Sequence, residues 1–360
     1  MQTPFKYIDI ANVIRDRIVQ GDYTISSLPS GRKLAAELGV SYLTARRAIE
    51  HLVSSGDLSR TASGRLQLDA QPQQAVLNVA MLLQPNESLS EMRWYRALNQ
   101  AVTQRGGTLR PCYYTHASDA VITDTLEAGF NVIIIIPPHN MSALLRDRLS
   151  RMADRVMTLF TDMTDLGITC IDGGGASAVG QLLDHLQSLG HRTVDCICTG
   201  REGPELMDRI HGWRDAIRQR DMQGQLLNWP HKDKLDAAGR TCALIEQLAS
   251  KDQFTSTALF CTTPYVAMGA TRAATNLGLT VGKDLSLCTF GSCEMASMLT
   301  PSITTVITGD EQTILTDALH WLLDEDSDRS ARVIEPKTLS LFIGESTGAL
   351  RPRSSREKHR

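Results

Sequence analysis

Residues 28–47 read LPSGRKLAAELGVSYLTARR, and the order of caps and apolar positions in them decides the N-terminal fold. Leu28-Pro29-Ser30 forms a turn and a helix start. Leu34, Ala35 and Leu38 follow as an apolar stripe, and Gly39 ends that helix. Ser41 then caps a second helix, Ser41–Ser54, since a serine oxygen there accepts from an unpaired N–H of the first turn. On that helix Ala45, Ala48, Ile49 and Leu52 share one face. Tyr42, Arg46 and Glu50 fall four apart on another, with Arg47 alongside. The spacing predicts a helix–turn–helix whose second helix presents arginines to solvent. Such a helix fits the major groove of DNA, where arginine reads guanine or grips phosphate.

The flanks extend the pattern. Gly56-Asp57-Leu58-Ser59-Arg60 and Ser63-Gly64-Arg65-Leu66-Gln67-Leu68 read as two short strands around a polar turn, a β-wing with Arg65 near its tip. Upstream, Ile10, Val13, Ile14, Arg17 and Ile18 make an amphipathic helix stopped by Gly21. Residues 1–68 are therefore expected to fold as a winged helix–turn–helix domain of the α+β class. Residues 30–65 carry six Arg/Lys against three Asp/Glu. A local excess of three positive charges is a modest electrostatic footprint, so one head binds DNA weakly and a homodimer is expected.

This order of helix, helix, recognition helix and wing resembles the DNA-binding domain of the GntR family of bacterial transcription regulators. The matching residues are Gly21-Asp22-Tyr23, Leu28-Pro29-Ser30, Arg32, Leu34-Ala35, Leu38-Gly39-Val40-Ser41, Thr44, Arg46, Ala48, Leu52, Gly56 and Gly64. The resemblance implies DNA contacts from Arg32, Ser41, Tyr42, Thr44, Arg46, Arg47, Gly64 and Arg65. Two positions depart from the family pattern. Gly31 stands where the family usually has Glu, and Tyr42 where it often has Arg. The second change removes a charge that contacts base or phosphate and implies an operator unlike the family norm.

The chain has 360 residues, room for two or three domains, and its 42% hydrophobic content suffices for a sizeable core. The opening MQTPFKYIDI lacks a basic segment followed by an apolar run, so no secretory signal is expected. The apolar run Val132–Ile136 is too short to span a bilayer. Eight cysteines are scattered, mostly inside apolar strand-like segments. They read as buried thiols of a cytoplasmic protein. Cys196 and Cys198 share one strand face without His or Cys partners nearby, so a core role is favoured over a metal site. No cofactor, metal or membrane partner is expected.

Residues 69–75, DAQPQQA, read as a linker. After it, apolar strand-like runs alternate with amphipathic helical runs. Expected strands include Val76–Leu83, Thr108–Tyr114, Val132–Ile136, Val156–Phe160, Val194–Cys198, Gln225–Leu227, Ala258–Cys261 and Leu285–Phe290. Continuous apolar strands separated by helices mean parallel sheets covered on both faces. Two such series in tandem predict a two-lobed α/β domain over 76–350, with a ligand cleft at the carboxyl ends of the strands. Arg351–Arg360 reads as a basic, disordered tail.

An ordered set of motifs carries a second resemblance. It comprises Leu189-Gly190-His191-Arg192, Arg209-Ile210-His211-Gly212-Trp213, Ala267-Met268-Gly269-Ala270, Leu299-Thr300-Pro301-Ser302-Ile303-Thr304-Thr305-Val306 and Glu345-Ser346-Thr347-Gly348. Over about residues 76–348 the chain resembles the effector-binding domain of the LacI family, which shares its type I fold with sugar-binding periplasmic proteins. A GntR-like head on a LacI-like body resembles the arabinose-responsive repressors of Gram-positive bacteria. The resemblance implies an N-lobe of about 76–165 and 304–328 and a C-lobe of about 172–300 and 333–348. It also implies effector contacts from Tyr95, Asp162 and Arg209. Thr263 and Ser292 are two further expected effector contacts, at positions where the family commonly has Asn-Asp before the helix and Phe-Asp-Asp or Tyr-Asp-Asp after the last strand. Here Thr263-Pro264 and Phe290-Gly291-Ser292 occupy them, which removes two carboxylates suited to sugar hydroxyls. With Arg209 as a forked donor, a sugar acid, sugar phosphate or related metabolite is expected rather than a neutral monosaccharide.

These readings make the chain a ligand-responsive DNA-binding regulator, a repressor, and not an enzyme. Within that class the alternative is a DNA-binding protein whose cleft has lost its ligand. A nucleotide-dependent α/β enzyme is the rival. It requires a GxGxxG fingerprint, which Gly173-Gly174-Gly175 does not supply, so this run is read as a lobe crossover. The histidines show no zincin or nucleophile-elbow spacing. A transport binding protein requires a signal peptide and no DNA-binding head.

Overall fold

The computed structural model describes residues 6–19, 28–60, 66–68, 77–85, 89–138, 140–200, 203–229, 235–291, 293–308, 311–324, 328 and 330–350. Gly21, the expected wing tip with Gly64 and Arg65, the expected linker 69–75, Ser292 and the expected tail 351–360 lie outside these residues. The chain divides into two compact units. One takes 1–85, 95–136 and 141–157, and the other takes 86–94, 137–140 and 158–360.

The first unit begins with α1 (Lys6–Val19), α2 (Gly31–Glu37) and α3 (Tyr42–Ser54). Strands β1 (Leu58–Arg60) and β2 (Leu66–Leu68) follow and pair antiparallel, Ser59 opposite Gln67. The two helix starts form as their cap residues dictate. Ser30 accepts from Lys33 N at 3.5 Å and Ser41 from Thr44 N at 3.2 Å. Gly39 sits at φ 63°, the left-handed turn that ends α2. Ala11, Ile14, Leu34, Ala48, Ile49, Leu52 and Leu58 close a small core. Arg15 ties α1 to the segment after α3 through Asp57 at 2.7 Å. The apolar face of α1 differs from expectation at one position: Val13 is exposed and Ala11 is buried. Tyr7, Ile10, Ala11, Ile14 and Ile18 follow the helical repeat and meet the core, whereas Val13 lies off that stripe.

The same unit continues with β3 (Asn78–Leu83), most of α4 (Leu89–Gln104), β4 (Thr108–Tyr113), α5 (Ala120–Glu127), β5 (Val132–Ile135), α6 (Ala143–Ser150) and the start of β6 (Val156–Leu159). Every residue of β5 is buried, as its unbroken apolar run requires.

The second unit holds the start of α4 and the end of β6. It then takes β7 (Thr169–Ile171), α7 (Gly175–Ser188), β8 (Asp195–Cys198), α8 (Pro204–Gln219), β9 (Leu226–Asn228), α9 (Ala237–Ser250), β10 (Ala258–Cys261) and α10 (Pro264–Asn276). β11 (Ser286–Phe290), α11 (Cys293–Met298), β12 (Thr304–Thr308), α12 (Glu311–Leu323), β13 (Val333–Ile334) and β14 (Leu339–Phe342) complete it. Two six-stranded sheets result, in the orders β13-β7-β6-β5-β3-β4 and β14-β12-β11-β10-β8-β9. β14 runs antiparallel to β12 and departs from the all-parallel expectation. It is a short, half-exposed edge strand and has no continuous apolar run to announce it.

One close approach sets the chemistry that follows. Helices α7 and α8 touch at Gly212, where a Cβ would lie 2.6 Å from Ala176 Cα. Gly212→Ala is expected to destabilise the protein by about 1–3 kcal/mol, because overpacking outweighs the better helix propensity of alanine. Thermal unfolding checks this, and a raised Tm contradicts it.

Candidate functional sites

The first site is the exposed face of α3. Ala45, Ala48, Ile49 and Leu52 are buried, so Tyr42, Arg46, Arg47 and Glu50 face solvent. Ser41 and Thr44 are joined, Oγ to Oγ1, at 2.8 Å at the helix start. Arg46 Nε donates to Glu50 Oε1 at 2.8 Å, four residues on, which orients the guanidinium along the helix. Arg32 is exposed on α2, with its guanidinium 6.0 Å from the centre of the Tyr42 ring. The structure therefore brings Arg32, Ser41, Tyr42 and Thr44 together at one end of α3, with Arg46 and Arg47 further along it. A Cβ on Gly31 would lie 3.3 Å from Ile49 Cδ1 and 3.5 Å from Tyr42 Cε2. Ile49 is thus the tight neighbour of a side chain at 31, and the Tyr42 ring stands at ordinary contact distance from it.

The second site is a pocket whose lining residues all belong to the second unit. It is a narrow pocket, with about 290 Å³ of atom-free space only when counted out into the solvent at its open mouth. Its walls come from chain turns at strand ends and from the first turn of α8. Ser90, Arg93 and Trp94 enter from α4. Phe160 follows β6 at φ 66°, a left-handed conformation that costs a bulky residue about 1–3 kcal/mol and gathers at functional sites. Its N–H donates to Ile171 O at 2.9 Å, and its ring meets Trp94 edge-on with centroids 5.9 Å apart.

Asp172 follows β7, and its Oδ1 accepts from Gly174 N at 3.1 Å. The run Gly173–Gly175 is more than a crossover, because Gly173 and Gly175 line the pocket. A Cβ on Gly173 would meet the Phe160 ring at 3.0 Å, and one on Gly175 would collide with Asp208 Oδ2. Gly174 at φ 71° turns the chain into α7. That helix start has no side-chain cap of its own, and Asp208 on α8 accepts from Ala176 N instead.

Glu205, Asp208 and Arg209 stand three and four apart on α8 and share one face. Arg209 is 2% exposed. Its Nη1 donates to Thr262 O at 2.6 Å and its Nη2 to Glu205. The guanidinium stacks 4.2 Å from the Phe290 ring centre. Its Nε has no hydrogen-bond partner among the described residues. Arg93 Nη2 pairs with Glu311 at 2.5 Å. The lining thus counts three carboxylates, Asp172, Glu205 and Asp208, against two guanidiniums, Arg93 and Arg209.

Burial first, then Asp172, pushes Asp208 from 3.8 up to about 6. Burial also raises Asp172. A carboxyl with a raised folded pKa opposes folding once ionised. Well below pH 3.8 it is protonated in both states, and its penalty grows from there up to about pH 6 and persists above. Asp208→Asn is therefore expected to stabilise the protein by about 1–2 kcal/mol at pH 7.5 and by nothing well below pH 3.8. Unfolding at the two pH values tests it, and an equal shift at both contradicts it.

The remaining expected contacts fall elsewhere. Asp162 is exposed, and its Oδ1 accepts from Thr164 N at 2.9 Å and Thr164 Oγ1 at 2.7 Å, a local turn outside the pocket lining. Tyr95 is half-buried and outside the lining, while its neighbour Trp94 is in it. Thr263 caps α10 by accepting from Val266 N at 3.3 Å, and the loop reaches Arg209 through the Thr262 carbonyl. A Cβ on Gly291 would lie 2.8 Å from Pro264 Cγ. A carboxylate at 291 is thus sterically tied to the absence of proline at 264, so these two departures belong together. Cys196 and Cys198 are buried and form no disulfide. Among the described residues no cluster of metal ligands occurs, and no helix is long and apolar enough to cross a membrane.

Residues 6–64 match the family model described as bacterial regulatory proteins, gntR family, and residues 183–347 that of a periplasmic binding protein-like domain. The chain is 29% identical over 212 residues to the HTH-type transcriptional repressor PurR of Pectobacterium carotovorum subsp. carotovorum strain PC1, covering 58% of this chain and 60% of that one. It spans between 41% and 60% of the length of such PurR repressors. A LacI family transcriptional regulator from Enterococcus faecium with bound ribose superposes with a TM-score of 0.61 at 16% identity, over 76% of this chain and all of that one. The lac repressor dimer bound to operator and the anti-inducer ONPF gives 0.62 at 18% identity, over 77% and 96%. Those likenesses show the fold of the body. The chain thus joins an N-terminal segment that matches a gntR-family model to an α/β body that matches a periplasmic binding protein-like model and is similar to PurR repressors.

Proposed function

We propose that this chain is a transcriptional repressor whose affinity for an operator is set by a small molecule bound in its body. The observation that carries this reading is the joining, in one chain, of an exposed arginine helix and a pocket lined by a buried arginine whose Nε has no partner among the described residues. Residues 1–68 act as a winged head, with β1 and β2 as the wing and Gly64-Arg65 at its tip. Residues 69–75 link it to a two-lobed body, 76–350. Two chains pair through their bodies in the cytoplasm and set two heads on a pseudo-palindromic duplex, which raises the local concentration of the second head. The effector differs in affinity between two shapes of the dimer, and that difference moves the heads.

Arg209 changes the expected effector. Its charge is already paired with Glu205, and the lining carries an excess of carboxylates. A sugar acid or sugar phosphate meets repulsion there, so the effector is a neutral or cationic polar molecule. Selection of duplexes from a random DNA pool by the full chain tests the DNA reading. An inverted-repeat motif is expected to emerge, and recovery of no common motif contradicts it.

A further inference from the structure

The pocket has a charge pattern that its own arginines do not balance. Arg209 is matched by Glu205, and Arg93 by Glu311. Asp172 and Asp208 remain, each held by backbone N–H groups of the turn into α7, Gly174 and Ala176. These bonds fix the carboxylates in place without neutralising them. Trp94 and Phe160 form the adjoining wall, and an aromatic face attracts a cation. The buried Arg209 Nε–H, without a partner among the described residues, calls for one acceptor on whatever fills the space.

We propose that the pocket takes a compact protonated amine that also carries a hydrogen-bond acceptor, with the ammonium between Asp172 and Asp208 and the acceptor on Arg209 Nε. The proposal rests on the reading of this pocket as the effector site. An ammonium has three donors and no acceptor, which suits two fixed carboxylates. The narrow space favours a compact ligand whose ammonium reaches between the two carboxylates. A neutral analogue leaves both carboxylates unneutralised, and an acidic one adds a further like charge.

Calorimetry on the full chain at pH 7.5 with two matched sets tests this: glucosamine, glucose and gluconate, and serinol, glycerol and glycerate. In at least one set the amine is expected to bind about tenfold tighter than its neutral partner, and the acid not at all. In Asp208→Asn that preference is expected to shrink to about threefold or less. A neutral or acidic member that binds as tightly as its amine, or no binding by either amine, overturns the proposal. The two readings fail differently. If a neutral or acidic probe binds and the paired change Arg209→Met with Glu205→Gln removes it, the pocket stands and the amine class falls. If an amine binds and that paired change leaves binding untouched, the ligand sits elsewhere and the pocket reading falls as well.

Discussion

Replacing Arg46 and Arg47 together with alanine is expected to abolish specific DNA binding, with a loss of about a hundredfold or more. Each side chain that reads a base or grips a phosphate contributes about 1–3 kcal/mol, and 1.4 kcal/mol is a factor of ten. Both arginines are exposed on α3, so their removal leaves the core residues Ala48, Ile49 and Leu52 in place. The Arg46–Glu50 pair lies on the surface, and such a pair adds little to stability. The change therefore separates recognition from folding. Gel shift on a selected duplex, with circular dichroism as the folding control, checks it. Unchanged affinity in a folded double variant shows that α3 is not the recognition helix.

The second large effect concerns Arg209. Arg209→Ala strips Glu205 and the Thr262 carbonyl of their buried partner, and breaking a buried pair costs about 3–5 kcal/mol. Loss of ligand response in that variant alone is thus ambiguous. The paired change Arg209→Met with Glu205→Gln removes both charges and keeps the volume. It is expected to restore most of the stability while ligand binding stays lost and ligand-free DNA affinity stays near that of the parent. Thermal unfolding and anisotropy on the same samples read the three quantities. A stable paired variant that still answers its ligand contradicts the role given to Arg209.

Some of this was legible in the residues and some was not, for physical reasons. The helix–turn–helix could be read because its signals are local: Ser30 and Ser41 cap helices that begin one residue later, and four apolar positions at helical spacing are the four that are buried. Eight strands of the two sheets were legible as apolar runs, whereas β7, β12, β13 and β14 were not, being short or rich in threonine and serine. The pocket was harder. Arg209 was found through a motif, and its neighbours Glu205 and Asp208 stand beside it at helical spacing. The i, i+4 spacing offers Glu205 to Arg209, but nothing local says that this pair is buried or that Asp208 caps a different helix. The carboxylate excess depends on chain turns far apart in sequence, at Asp172 and at the start of α8. The departures at Gly31 and Tyr42, and at Pro264 and Gly291, look independent along the chain. The Cβ geometry shows the first pair in ordinary contact and the second competing for one space.

The central claim is that occupancy of the pocket in the body changes the grip of the head on DNA. Fluorescence anisotropy of the full chain on its selected duplex, with and without a saturating amine that binds by calorimetry, measures this directly. A change in Kd of about five- to 150-fold is expected, the range of a coupling of about 1–3 kcal/mol, and it should vanish in the Arg209→Met, Glu205→Gln variant. An identical Kd at saturating ligand would contradict the account.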